Sequence, residues 1–215
     1  LSGQSLFNRW VGTESFSGSA KSTAMGNTHL LNSIGSANTR FNPSNLSSLD
    51  SKVIINIQAN RFGTFERWSM PVRDSFDEVL AYADYTSNEF NYYSLSGGIA
   101  FKTKLLKIGK VAIGLYHAPL THFTYDYSEE VRGTYRPGDN EYASKDPIIG
   151  YQQLKSDGNI MVSSIGGSIK IDMPTNLDFS IGVSSNFIQS TGLLFSSKNI
   201  IDGRCFVSSS LLNVA

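Results

Sequence analysis

From residue 53 onward, bulky apolar side chains alternate with small or polar ones, and this period of two places them on opposite faces of extended strands. In 52–62, Val53, Ile55, Ile57 and Ala59 oppose Ile54, Asn56, Gln58 and Asn60. In 92–104, Tyr93, Leu95, Ile99 and Phe101 oppose Ser94, Ser96, Ala100 and Lys102. In 110–118, Val111, Ile113 and Leu115 oppose Ala112, Gly114 and Tyr116. In 160–172, Met161, Ile165, Ile169 and Ile171 oppose Ser164, Gly166, Ser168 and Lys170. The clearest run is 177–188, where Leu177, Phe179, Ile181, Val183 and Phe187 oppose Asp178, Ser180, Gly182, Ser184 and Asn186. A weaker sixth run starts near Arg204. The pattern predicts an antiparallel sheet whose polar face carries Asn56, Gln58, Ser96, Lys102, Lys170, Asp178 and Ser184.

The connections narrow the architecture. The links 105–109 and 173–176 are short, and Pro174 and Asn176 are natural turn residues in the second. By contrast 63–91 and 119–159 are long, polar and rich in aromatics, and they read as outer loops on the opposite edge. Short turns on one side, long loops on the other and strands of roughly 9 to 11 residues are the pattern of a transmembrane β-barrel. The expected fold is therefore all-β, an antiparallel barrel with a short N-terminal helical segment. A further strand hidden in the second loop is expected at Phe123 to Tyr127, where apolar and polar residues alternate. Tyr92, Tyr93, Tyr116, Phe123, Tyr125, Tyr127, Phe62, Phe65 and Trp68 lie near strand ends on the long-loop side and read as an interfacial aromatic girdle.

Ahead of the strands, residues 18–49 form a conformational device instead of a core element. Gly26 admits φ > 0, Pro43 fixes its own φ, and Asn42 is driven out of the helical region by that proline. Between these two points Met25, Leu30, Leu31 and Ile34 have the spacing of one side of a short, mostly polar helix.

Composition agrees with a barrel. Charged residues make up 17% of the chain, below the roughly 25% of a soluble domain, and 32 serines and 19 glycines suit a polar lumen. Zero formal net charge leaves no basic field for nucleic acid. No apolar run is long enough for a membrane-spanning helix, which does not weigh against a barrel. The lone Cys205 has no internal partner and reads as a structural thiol.

Chemistry is sparse. His29, His117 and His122 are scattered, and no metalloprotease, nucleophile-elbow or phosphate-loop motif occurs. His117 and His122 flank Pro119 and read as rim contacts instead of metal ligands. Asp126, Glu129 and Glu130, followed by Asp139, Glu141 and Asp146, read as a solvated loop because no ligand spacing of the EF-hand type is present. No catalytic residue, metal or cofactor is expected, and the chain does not read as an enzyme.

Ser19-Ala20-Lys21-Ser22, then Ala24-Met25-Gly26-Asn27, then Asn42-Pro43-Ser44-Asn45-Leu46 resembles the N-terminal plug of the FadL-like outer-membrane proteins. The likeness is nearest to the PorV/PorQ and related branch, with its SAR-x-x-AMGG and NPAGL steps. The motif covers about thirty residues, and strand and loop order extends the likeness weakly to the rest of the chain. Lys21 departs from the usual arginine, Asn27 from a frequent second glycine, and the acidic pair between the steps is missing. The resemblance implies a fourteen-stranded barrel, with 1–51 folded into the lumen as a hatch and 52–215 supplying strands. It implies that Met25, Gly26, Asn27, Asn42 and Pro43 shape and gate that hatch. It further implies a bacterial outer-membrane location among lipid and passive transport of hydrophobic small molecules such as fatty acids. The alternative is a PorV-like, non-enzymatic component of a secretion system that binds exported proteins through its outer loops. Because the strand count falls short of fourteen and the C-terminus lacks a terminal aromatic residue, the chain reads as an N-terminal fragment of a longer barrel, with eight strands as the competing arrangement.

Overall fold

The computed structural model describes residues 11–15, 17–18, 20–26, 28, 35–73, 75–105, 109–132, 148–172, 178–201 and 204–212. Eight strands account for most of them: β1 (Thr13–Glu14), β2 (Val53–Arg73), β3 (Val79–Leu105), β4 (Gly109–His122), β5 (Tyr125–Arg132), β6 (Ile148–Asp172), β7 (Asp178–Ile201) and β8 (Arg204–Leu212). The described residues of the five alternating runs, from Val53 in the first and Asp178 in the last, fall within the long strands. The weaker run is β8, and the alternation at Phe123 to Tyr127 leads into β5.

All pairings form one antiparallel sheet. β2 pairs with β3, and β3 pairs with β4 along Gly97 to Leu105 and with β5 along Thr86 to Asn88. β4 and β5 follow one another along the same side of β6, so they act as one long strand broken at Phe123 and Thr124. β6 pairs with β7 and β7 with β8. Among the described residues β2 bonds only to β3, and β8 only to β7, so the sheet has two open edges and is not closed into a barrel.

The described residues of the segments 63–91 and 119–159, expected as long outer loops, are largely strand. The β2–β3 ladder continues from Gly63 opposite Asn91 to Arg73 opposite Val79, and β5 pairs with the first third of β6. The physical reason lies in what periodicity measures. Alternation is visible only where one face is apolar and the other polar, and here Asn, Ser, Thr, Glu and Arg occupy both faces while the backbone ladder runs on. At about 3.3 Å per residue, a 25-residue β6 extends on the order of 80 Å, well beyond the stretch that the alternation marks.

The two faces have opposite character. On one, Ile55, Ile57, Leu95, Ile113, Leu115, Ile181 and Val183 are exposed, Ile57 by 79% and Val183 by 73%. On the other lie Asn56, Ser96, Ala100, Ala112, Gly114, Ser164, Gly166, Ser168 and Gly182, covered by residues 35–49. That segment is a three-residue 3-10 turn (Gly35–Ala37), a helical turn (Asn38–Phe41) and a second 3-10 helix (Pro43–Ser48). Its anchor is Leu46, at 0% exposure, set against Ala100 and Ala112 with Leu49 beside it. A second contact places Ala37 and Phe41 against Tyr116 and Ala118. A short helix also forms at Ala20–Ala24, whereas Leu30, Leu31 and Ile34, expected on one helical side, lie outside the described residues.

The expected aromatic girdle divides between the faces. Tyr93 and Phe65 are exposed on the apolar face and Trp68 is exposed at a ladder irregularity. Tyr92, Tyr116, Phe123 and Tyr125 instead are buried, and the Phe62 ring stacks on that of Tyr92 at 6.3 Å. Parity decides this: Tyr92 and Tyr93 are neighbours, so only one of them can face outward.

Truncating a fully buried leucine costs about 2–5 kcal/mol through lost transfer energy and the cavity left behind. Leu46→Ala is therefore expected to lower the thermal unfolding midpoint of the purified protein, followed by circular dichroism. Val183→Ala, on the exposed apolar face, is expected to leave the midpoint in detergent nearly unchanged.

Candidate functional site

Beside the Leu46 and Phe41 contacts, the inner segment approaches the strands where they carry glycine. A Cβ added at Gly182 would lie 2.2 Å from Ser44 N and 2.3 Å from Pro43 C, so the Asn-Pro turn sits directly on β7 at the point where a side chain is missing. Gly114 is equally occupied: an added Cβ would meet Thr39 Oγ1 at 2.1 Å and Leu46 Cδ2 at 3.3 Å. Gly166 lies under the Thr39 carbonyl and Gly98 under Ser36 Oγ. These four glycines stand on four different strands, and the ladder sets Gly114 directly opposite Gly166. Together they form a bed across the sheet shaped to the turns above it.

Polar contacts fix the ends of the bed. Asn56 Oδ1 accepts from Ser36 N at 2.7 Å and from Ser36 Oγ at 3.1 Å, which caps the turn at Gly35, itself at φ +71. Ser44 Oγ donates to Asn42 Oδ1 at 2.6 Å, and Asn42 N donates to the Asn38 carbonyl. Asn42 has φ −150 and ψ 78, outside the helical region as the following proline requires, and Pro43 opens the next 3-10 helix. In the middle of the bed satisfaction is incomplete. Asn38 Oδ1 and Nδ2, Thr39 Oγ1 and Ser168 Oγ are buried without a hydrogen-bond partner among the described residues. Each such group costs about 1–3 kcal/mol, so the segment is seated by shape and held at its ends.

The second component is a break in the sheet. The β3–β4 ladder ends at Gly97 opposite His117, and pairing on that side of β3 resumes only at Asn88 opposite Tyr127. Pro119, which has no N–H to donate, lies two residues past the last pair, and the β4–β6 register shifts between Pro119 and Thr121. β1 fills the break. Thr13 pairs with His122 and Glu14 with Thr121, and Ser15 N donates to the Leu120 carbonyl at 3.0 Å. Ser15 Oγ reaches Tyr92 OH at 3.5 Å across the gap, and Gly18 N donates to Tyr116 OH at 2.9 Å. His122 closes the interior side, its ring stacked on Tyr92 at 4.1 Å and edge-on to Phe90 at 6.1 Å. Beyond β1 the gap opens into a cavity of about 450 Å³ bordered by Phe90, Tyr92, Tyr125, Asp126, Lys155 and Asn159.

Arg40 links the two components. Its Nη1 donates to Ser17 Oγ at 3.4 Å, and its guanidinium lies 4.8 Å from the centre of the Phe41 ring. Burial pushes this guanidinium below its ordinary range, against the pull of Tyr116 and Glu14.

Of the residues expected to shape a hatch, Asn42 and Pro43 lie on the bed. Met25 and Gly26 do not: Met25 is half exposed, and Gly26, at φ +77, has open space where a Cβ would point. Asn27 lies outside the described residues. Asn56 was expected on the polar face and Leu46 within the Asn-Pro step, whereas Ser36 and Thr39 in the seat, and Thr13, Glu14 and Ser15 at the gap, were not singled out from sequence. One glycine per strand on the predicted polar face is the signal that could have pointed to the seat.

Lys170 and Asp178, expected to face a lumen, pair at 2.5 Å between β6 and β7, with Asp178 exposed. Asp126, Glu129 and Glu130 are strand residues with partners of their own: Lys155 Nζ at 2.9 Å, Tyr127 OH at 3.1 Å and the Arg132 guanidinium. Asp139, Glu141, Asp146 and His29 lie outside the described residues, and so does the side chain of Cys205. Among the described residues no three His, Cys, Asp or Glu converge on a metal position. Between segment and sheet the cavity is only about 210 Å³, lined by Asn56, Gln58, Ser96 and Tyr116 among others, below the roughly 300 Å³ at which ligand pockets begin. No family model, curated protein or solved structure matches the chain.

Gly182→Leu drives a side chain into the Pro43–Ser44 backbone. It is expected to raise the rate of limited proteolysis within 35–49 several-fold with little change in strand content by circular dichroism. Val183→Leu, one residue away on the other face, is expected to leave proteolysis as it was.

Proposed function

We propose that this protein is a transmembrane β-barrel component of the bacterial outer membrane that passes hydrophobic small molecules of fatty-acid type, with residues 35–49 and β1 as the hatch. The observation that carries this reading is the interrupted ladder between β3 and β4–β5, covered by only two paired residues of an N-terminal strand. A break in a sheet leaves backbone donors and acceptors to be satisfied, and a short strand that satisfies a few of them is cheap to remove. Nothing in such a path requires chemistry.

The membrane part of the reading is supported by the exposed face. Ile55, Ile57, Leu115, Ile165, Ile181 and Val183 present contiguous apolar surface, with an apolar groove of about 750 Å³ between β4, β6 and β7. At about 25 cal/mol per Å², leaving that surface in water is costly, whereas hydrocarbon accepts it. The reading also requires strands on the free edges of β2 and β8, because unpaired edges are not tolerated in lipid. The small size of the cavity between the N-terminal segment and the sheet means that passage depends on displacement of the hatch, not on a preformed interior pocket.

The test ties β1 in place. Glu14→Cys with Thr121→Cys, in a Cys205→Ser background, joins directly paired positions. Cells making this variant are expected to take up a radiolabelled long-chain fatty acid several-fold more slowly under oxidising conditions, with recovery on reduction. Equal uptake before and after reduction, with the disulfide verified, would overturn the hatch.

A further inference from the structure

The lower lip of the gap has an outward side. At Gly97 opposite His117, the last β3–β4 pair, the missing side chain leaves a dimple of about 440 Å³ in the apolar face, walled by Ile55, Ile57, Ile99 and Leu115. His117 stands exposed at its rim, and its Nδ1 is 2.8 Å from Ser163 Oγ on β6. One ring nitrogen is thereby engaged and the ring orientation set, leaving Nε2 as the nitrogen not used by Ser163. The dimple's lining contains no lysine, arginine or carboxylate.

We propose that this dimple is a docking site for an unbranched alkyl chain ending in one uncharged hydrogen-bonding head, a hydroxyl or a protonated carboxyl group. The tail lies over Gly97 against Ile55, Ile57, Ile99 and Leu115, and the head bonds to His117. An ionisable residue beside the apolar walls of this dimple costs free energy unless something uses it, and here a neighbouring strand supplies a hydroxyl that orients it. The absence of a fixed cation from the lining selects against a charged head, whose desolvation would go uncompensated. It lies at the lower lip of the ladder break, while Glu89, Asn91, Asp126 and Lys155 border the gap above it. The inference rests on the lipid-facing assignment made above but not on transport, because binding is read without it.

The probe is a dodecanol analogue carrying a diazirine in its chain, photolysed with the purified full chain in lipid nanodiscs and mapped by mass spectrometry. Labelling is expected to concentrate on Ile55, Ile57 and Leu115, to fall about tenfold in His117→Leu, and to be competed by dodecanol and by dodecanoic acid at low pH, but not by dodecane or dodecyl sulfate. Ile57→Trp, which fills the dimple from an exposed position, is expected to remove the labelling. Labelling spread equally over Ile169 and Ile181, or unchanged in His117→Leu, would overturn the site. Loss of labelling in His117→Leu with uptake insensitive to the Glu14–Thr121 tether would keep this site and discard the hatch.

Discussion

Close approach of one backbone to another governs this structure. Residues 35–48 lie close against the sheet because Gly114 and Gly182 present no side chain where Thr39 and the Pro43–Ser44 backbone meet the strands, with Gly98 and Gly166 leaving room beside Ser36 and Thr39. Leu46 then fills the remaining space between Ala100 and Ala112. The other covering contacts follow: Asn56 caps the first turn, Phe41 reaches Tyr116, and Arg40 is held over Phe41 where it meets Ser17.

A sheet with so little side-chain volume on one face cannot form an ordinary packed core. Its large apolar residues stand on the opposite face, exposed, and the buried hydrophobic residues are mainly alanines, aromatics and one leucine. This inversion links the fold to the membrane reading. Apolar side chains face where lipid would be, while polar and small ones face the covered interior, the reverse of a soluble sandwich.

The gap and its covering strand follow a similar economy. Gly97 and Gly98 on β3 pair with His117 and Tyr116 on β4, and the ladder stops two residues before Pro119, which has no N–H to donate. Beyond that point Tyr92, His122 and Phe90 fill the interior side with rings, and β1 supplies the missing ladder for two residues. The outward dimple at Gly97 and the inward seat at Gly98 are consecutive residues of the same strand, so one pair of glycines serves both faces.

The sequence alone determined the strands near the short turns, the face to which each residue points and the Asn-Pro turn, because these depend on a period of two and on local sterics at Asn42 and Pro43. It could not show that β2 and β3 run on through 63–91, since two polar faces carry no alternation. Nor could it separate Met25 and Gly26 from Asn42 and Pro43, because nothing local says which of two turns meets a glycine on β7. The pairing of Thr13 and Glu14 with His122 and Thr121 was decided by tertiary structure only. Two residues with no periodicity of their own become a strand there because a neighbouring edge, far along the chain, has donors and acceptors left over.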